Sequence, residues 1–373
     1  MWQVFTWGIV GILILAVIIY LGFSYYFARM LAFPKTVTLD QERQYEEDKQ
    51  MWLDFDQLPR ESYQVKGWKG YPLKVERILA DQPSRRYVII SHGYTSNRLG
   101  AAKYVPVYRA LGYHCIIYDA RGHGENPVTA VSIGYLEGKD LLAIIEDCYK
   151  RYGASIELGL HGESMGSATS LSVLAYQPKL DFVVADCGFA DLRQLILEAY
   201  GRYYSKIFLP GISLVTWLLY GFRLGDTRPI KAMADNQCPI LFIHGSRDSL
   251  ILPHHSIAMA DRTPAYTRYQ EVPNAVHAGS RLILGLPAYQ AIIADFLQSI
   301  GKWLAGGWVG IEEDCLNRVA SRQFGVTLFW EYENRVSVVV TFVWEYENGV
   351  SVVATSVWEY ENGVLVLATF AWD

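Results

Sequence analysis

The stretch Gly159 to Thr169 reads GLHGESMGSAT and sets Ser164 between Gly162 and Gly166. A serine hydroxyl is a weak nucleophile near neutral pH. It becomes reactive when a base takes its proton and an acid orients that base. The spacing Gly-x-Ser-x-Gly suits a serine raised on a sharp strand-to-helix turn, where small neighbours let the two elements pass closely. The small residues SATS that follow keep the start of such a helix slim. Five residues in this pattern also arise by chance, and a polar residue merely opening a helix is the plainer alternative. The partners of Ser164 therefore decide.

An acid and a base follow in the chain order Ser, Asp, His. Asp248 stands just after the apolar run PILFIHG, and His277 lies in VPNAVHAGS after the short run RYQEV. Of the eight histidines, His92, His123, His161 and His244 each adjoin a glycine at a strand or turn end and read as structural or cleft-lining. His114 falls within a strand, and His254 and His255 follow Pro253 as surface residues. Only His277 lies downstream of Asp248 in a loop after the last strand-like run. Asp119 and Asp186 also follow strands, but both precede the one that usually carries the acid. An oxyanion needs two preorganised N–H groups, each on the order of 3 kcal/mol. By position these are the amides of Met165 and of Tyr94, in the early loop HGYTSN.

Short apolar runs around residues 87–90, 114–118, 156–160, 182–186 and 239–244 alternate with helical patterns such as YLEGKDLLAIIEDCYKRYG. That alternation implies crossover connections and a mainly parallel sheet buried on both faces, with ligands bound beyond the carboxyl ends of the strands. Each polar cluster named above follows a strand, at that same edge. ESYQVKGW and YPLKVERIL open the body as a hairpin around KGYP, and AYQAIIADFLQSIGKWL closes it as an amphipathic helix.

From about Glu61 to Leu304 the chain resembles the α/β-hydrolase superfamily, in particular the single-domain serine hydrolases grouped with membrane-anchored bacterial esterases and Bem46-like proteins. SHGYTSNR, YDARGHGEN, GESMGSATS, IHGSRDSLI and NAVHAGS carry the resemblance, all in family order. It implies an α/β-hydrolase fold with a small helical cap, Ser164 as nucleophile, His277 as base, Asp248 as its orienter, and Tyr94 and Met165 as oxyanion donors. It implies no metal or organic cofactor. Family substrates include esters, thioesters, lipids and some peptides.

Charge and composition narrow the partners. The 373 residues carry a formal charge of −5 with no long basic run, which speaks against nucleic acid. Five scattered cysteines without CxxC spacing give neither a disulfide framework nor a zinc site. Residues 1–28 contain no charge, and WGIVGILILAVIIYLGF is long enough to cross about 30 Å of hydrocarbon. Aromatic residues crowd its end and no small-residue cleavage site is evident, so it reads as an uncleaved single-pass anchor. Arg29, Lys35, Arg43 and Lys49 follow it with no basic residue before, which places the body in the cytoplasm by the positive-inside rule.

The expected organisation is an anchor (1–28), a linker (29–60) in which Leu39 to Gln57 reads as a surface helix or as linker, a hydrolase domain (61–305, cap about 188–237) and an extension (306–373). The cap is rich in Leu, Ile, Tyr and Trp. It reads either as an acyl pocket for a small-molecule or lipid-like ester near the bilayer, or as an ordinary lid. Three near-copies of 14 residues run from Trp330 to Ala371, with hairpin signals at Asn348-Gly349 and Asn362-Gly363. The expectation is an incidental, aggregation-prone extension. Rival readings are a thioesterase with Arg98, Arg121 and Arg247 at the cleft mouth, a peptidase, or a non-catalytic adhesion protein using the repeats.

Overall fold

The computed structural model describes residues 2–52, 55–199 and 201–302, and the strands at 336–345, 351–361 and 364–372. Only backbone is described for residues 3–4, 202–205 and the three C-terminal strands. Two compact units result, Met1–Leu304 and Ala305–Asp373.

The first unit opens with helix α1 (Trp2–Ala32), long and apolar enough to cross a membrane. Beyond position 28 it continues unbroken, and Ala28 and Ala32 are fully buried against the body. The segment expected as a linker contains α2 (Leu39–Asp48), started by a capping box between Thr38 and Gln41. Glu42 and Glu46 point inward from α2, so it is docked rather than free.

Strands β1 (Arg60–Lys66) and β2 (Pro72–Ile78) form the antiparallel entry hairpin. After β3 (Arg86–Ser91) come α3 (Val105–Ala110), β4 (His114–Tyr118), α4 (Tyr135–Tyr152), β5 (Glu157–Glu163) and α5 (Met165–Ser172). Next are β6 (Phe182–Asp186), α6 (Leu192–Ala199), α7 (Arg202–Tyr220), α8 (Pro229–Met233) and β7 (Ile240–Gly245). The unit ends with α9 (His254–Arg262), β8 (Thr267–Val272) and α10 (Ser280–Ser299). The sheet order is β1-β2-β4-β3-β5-β6-β7-β8, parallel from β4 onward.

Burial on both sheet faces explains why the central strands read as continuous apolar runs. Val88 and Ile90 face the layer of α3 and α10, while Ile89 between them faces α4 and α5. Helix α10 is also long and apolar enough to cross a membrane, but it buries Tyr289, Ile293, Phe296 and Leu297 on the sheet.

The second unit contains β9 (Val336–Glu345), β10 (Ser351–Glu361) and β11 (Val364–Trp372), antiparallel in the order β11-β10-β9. Glu345 pairs with Ser351 and Glu361 with Val364. The two Asn-Gly pairs lie outside the described residues.

Candidate active site

Ser164 follows β5 directly and holds φ 55° and ψ −115°, a backbone conformation costly for any residue but glycine. Packing enforces the turn. A Cβ on Gly162 would lie 2.2 Å from the Gly166 carbonyl oxygen, and one on Gly166 would lie 2.0 Å from that of Ser91. The Ser164 amide donates to the Asp186 carbonyl at 2.9 Å, pinning the turn to the neighbouring strand. The Asp186 carboxylate accepts from Ser280 Oγ (3.1 Å) and Tyr289 Oη (2.8 Å) on α10.

The carboxyl edge of the sheet brings the three expected side chains together. His277 Nε2 lies 2.9 Å from Ser164 Oγ, and His277 Nδ1 lies 2.7 Å from Asp248 Oδ2. An ionised carboxylate only accepts, so Nδ1 carries the imidazole proton and Nε2 offers its lone pair to the serine. Asp248 also accepts the amides of Leu250 (3.0 Å) and Ile251 (2.9 Å). Burial alone would raise its pKa. Hydrogen bonds from His244 and His277, the imidazole charge and the Ile251 amide outweigh burial and hold it well below the usual carboxylate range.

The Met165 amide heads α5, where the first N–H groups of a helix have no intrahelical acceptor. Tyr94 and Met165 line the same pocket as Ser164, and a Cβ on neighbouring Gly93 would lie 3.7 Å from Ser164 Cβ. Tyr94 Oη donates to the Leu31 carbonyl of α1 at 2.9 Å. The next residue is tied too, because the Val37 amide donates to the Thr95 carbonyl at 2.9 Å.

The pocket holds about 570 Å³ and runs from Ser164 between α6 and α7 on one side and the end of α1 on the other. Among its described lining residues, Lys35 is the only polar side chain apart from Ser164 and Tyr94.

Other sequence candidates lie elsewhere. Asp119 accepts from the Arg98 amide and guanidinium, and Asp186 faces α10, so neither meets His277. Arg98 is buried among Glu76, Asp119 and Glu125, and Arg121 is paired with Asp140. These two arginines are therefore structural and cannot form a basic cleft mouth; Arg247 alone of the three is exposed. His255 corrects the surface assignment as well. It is fully buried, with Nε2 3.0 Å from Glu198, while His254 is exposed. His161 is buried against Tyr108, and burial followed by the Lys103 charge pushes it down to about 3.

Sequence reasoning missed the buried support beneath the turn. Glu163, next to the serine, holds Lys103 at 2.8 Å and accepts from Tyr104 Oη. His244 was read as generic structure. It receives a hydrogen bond from Ser256 Oγ at 2.7 Å, donates to the Ile251 carbonyl at 2.8 Å and lies 3.4 Å from Asp248. Its position four residues before Asp248 was the available signal.

Two described groups have metal-like geometry: Cys187 with Asp248 and His277, and Glu198 with His254 and His255. Burial pushes the Cys187 thiol well up, so it keeps its proton. The Ala190 amide donates to His255 Nδ1, so Nε2 carries the proton and donates to Glu198 instead of offering a lone pair. Neither group is arranged as a metal site.

Residues 82–216 match the family described as Serine aminopeptidase, S33. The sheet order, the turn at Ser164 and this match agree. The chain has the α/β-hydrolase fold. It is 29% identical over 249 residues to protein YqkD of Bacillus subtilis (strain 168), covering 65% of this chain and 80% of that one. Among solved structures, the Pyrococcus furiosus esterase Pf2001 superposes with TM-score 0.52 at 19% identity, over 68% of this chain and 93% of that one. The Pyrococcus horikoshii acylaminoacyl peptidase gives TM-score 0.52 at 13% identity, over 71% of this chain and 45% of that one. Likeness at such identities concerns the fold.

Proposed function

We propose that this chain is a membrane-anchored serine hydrolase that cleaves carboxylic esters. The observation that carries the reading is the continuous relay from Asp248 through His277 to Ser164, at 2.7 and 2.9 Å. Ser164 Oγ attacks the ester carbonyl as His277 Nε2 removes its proton, and Asp248 stabilises the imidazolium. The amides of Tyr94 and Met165 receive the oxyanion. His277 then protonates the leaving alcohol, and a water deprotonated by the same nitrogen releases the acid from the acyl-enzyme. The apolar α1 is the anchor, with the body on the cytoplasmic side because the basic residues follow the span.

The matched family is described as an aminopeptidase, which makes a peptidase the nearest rival. Binding a substrate ammonium calls for a carboxylate at the pocket, and its described lining has none. An apolar pocket with one cation suits an acyl ester better. An adhesion role without catalysis leaves the relay unexplained.

The test is labelling by a fluorophosphonate together with turnover of p-nitrophenyl butyrate and of an aminoacyl p-nitroanilide. Labelling and ester turnover should both vanish in Ser164→Ala. Amide turnover exceeding ester turnover would replace the reading with peptidase, and absence of labelling in the wild type would end it.

A further inference from the structure

Helix α7 differs from an ordinary lid helix on its outward side. Its inner face buries Leu209, Ile212, Val215 and Thr216. Its outer face carries Ile207, Pro210, Leu214, Trp217 and Leu218, all exposed, with Trp217 at 46% and Leu218 at 63%. No charged residue lies between Lys206 and Arg223. A helix apolar on all sides is either enclosed by protein or surrounded by lipid.

The neighbour of α7 tells which. Tyr20 and Phe27 of α1 meet Phe208, with ring centroids at 5.8 and 6.1 Å, and Phe33 meets Tyr220 at 5.2 Å. The two helices thus run side by side in the same direction over these residues. They are also stitched together. Pro210 interrupts the backbone ladder, and at the next rung Tyr20 Oη is inserted between the Ile207 carbonyl, to which it donates at 2.9 Å, and the Gly211 amide, from which it accepts at 3.0 Å. A Cβ on Gly211 would lie 2.2 Å from Ser24 Oγ. The membrane-length helix therefore passes its apolar surface directly on to α7.

The pocket lies between these same helices. Phe27, Met30 and Leu31 of α1 face Phe208, Leu209 and Ile212 of α7 across it, and Met30, Lys35, Ala199 and Leu250 are its exposed residues. We infer that the outer face of α7 is immersed in the leaflet beside α1, and that the substrate is a long-chain acyl ester whose chain enters the pocket from the bilayer between α1 and α7. This rests on Ser164 being the nucleophile. It makes the end of α1 a wall of the substrate site as well as an anchor. Lys35 at the rim suits the anionic or strongly polar end of a lipid.

The test uses the full chain in phosphatidylcholine vesicles. Two substrates are compared, soluble p-nitrophenyl butyrate and vesicle-embedded 4-methylumbelliferyl palmitate, in wild type and in the double variant Leu214→Lys/Leu218→Lys. Lysines at these positions, outside the pocket lining, oppose immersion. The palmitate-to-butyrate ratio should fall at least about tenfold with butyrate turnover kept. Brominated phosphatidylcholine should quench wild type more than Trp217→Phe. An unchanged ratio, or no Trp217 share in the quenching, overturns the inference. So does a double variant that turns a dimer into a monomer with the ratio kept, since the face is then a contact between copies. Loss of butyrate turnover in wild type would instead indict the nucleophile assignment.

Discussion

Tyr94 Oη donates to the main-chain carbonyl of Leu31 across 2.9 Å, so the loop assigned to the oxyanion is fastened to the last turn of α1. Tyr94→Phe removes this bond and keeps the ring. A bond of this kind is worth about 1 kcal/mol, so kcat should drop roughly fivefold with little change in melting temperature. Steady-state kinetics on p-nitrophenyl butyrate decide; an unaltered kcat would mean that the loop keeps its place without the tie.

Removing the relay should be far more severe. His277→Ala should cost roughly 10⁴-fold or more in kcat, and combining it with Ser164→Ala should add almost nothing, because the groups act as a unit. Asp248→Asn should cost about 10⁴-fold by allowing the wrong imidazole tautomer. Additive losses would argue against a common mechanism.

Gly166→Ala tests the turn. With a Cβ 2.0 Å from the Ser91 carbonyl oxygen, β3 and α5 must separate. A destabilisation of about 3 kcal/mol or more is expected, read by denaturant unfolding. A variant as stable and active as wild type would contradict the tightness of this packing.

Acidity should act on stability in two opposite ways. Glu42 is pushed up from 4.5 to about 7, first by burial and then by Glu46 against the Ser96 hydrogen bond. Asp186 is pushed up from 3.8 to about 6 by burial and then by Glu163. For both, the folded chain binds the proton more tightly than the unfolded one, so stability declines as pH rises from about 4 towards 7. Asp248 is depressed, so its contribution is full above its unfolded value and fades only in strong acid. His92 and His161, both pushed down to about 3 first by burial, act the other way over the same range, so Glu42 is read as a difference: the melting temperature of wild type relative to Glu42→Gln should fall as pH rises from about 5 to 8. An equal slope in that variant would remove Glu42 from the explanation.

Much of the fold was legible because buried parallel strands leave an unmistakable record. Each of β3 to β7 is an apolar run that stops at a polar cluster, and those clusters hold Ser164 and Asp248, while His277 follows the more polar β8. What stayed hidden depends on pairing across long separations. Nothing local in Lys103 says that it will be buried against Glu163, 60 positions away. Arg98 and Arg121 looked like surface cations because their carboxylate partners are fixed only by the fold. The docking of α2 was missed for a related reason, since its inward residues are glutamates, which ordinarily mark a solvated face. Likewise α1 was read as a bare anchor, because its use as a pocket wall requires α7, which enters the chain far downstream.

Deleting residues 306–373 should leave the turnover of p-nitrophenyl butyrate within about twofold, since the unit Met1–Leu304 contains the whole relay. A collapse in specific activity would make the repeats part of the working enzyme.

The serine and its imidazole are 113 positions apart in the chain. During translation the hydroxyl therefore leaves the ribosome long before the base that can arm it, and the last parallel strand must dock before the two can meet. On the proposed mechanism, reactivity is switched on by completion of the domain, and a stalled or clipped product that stops short of β8 carries only an inert alcohol.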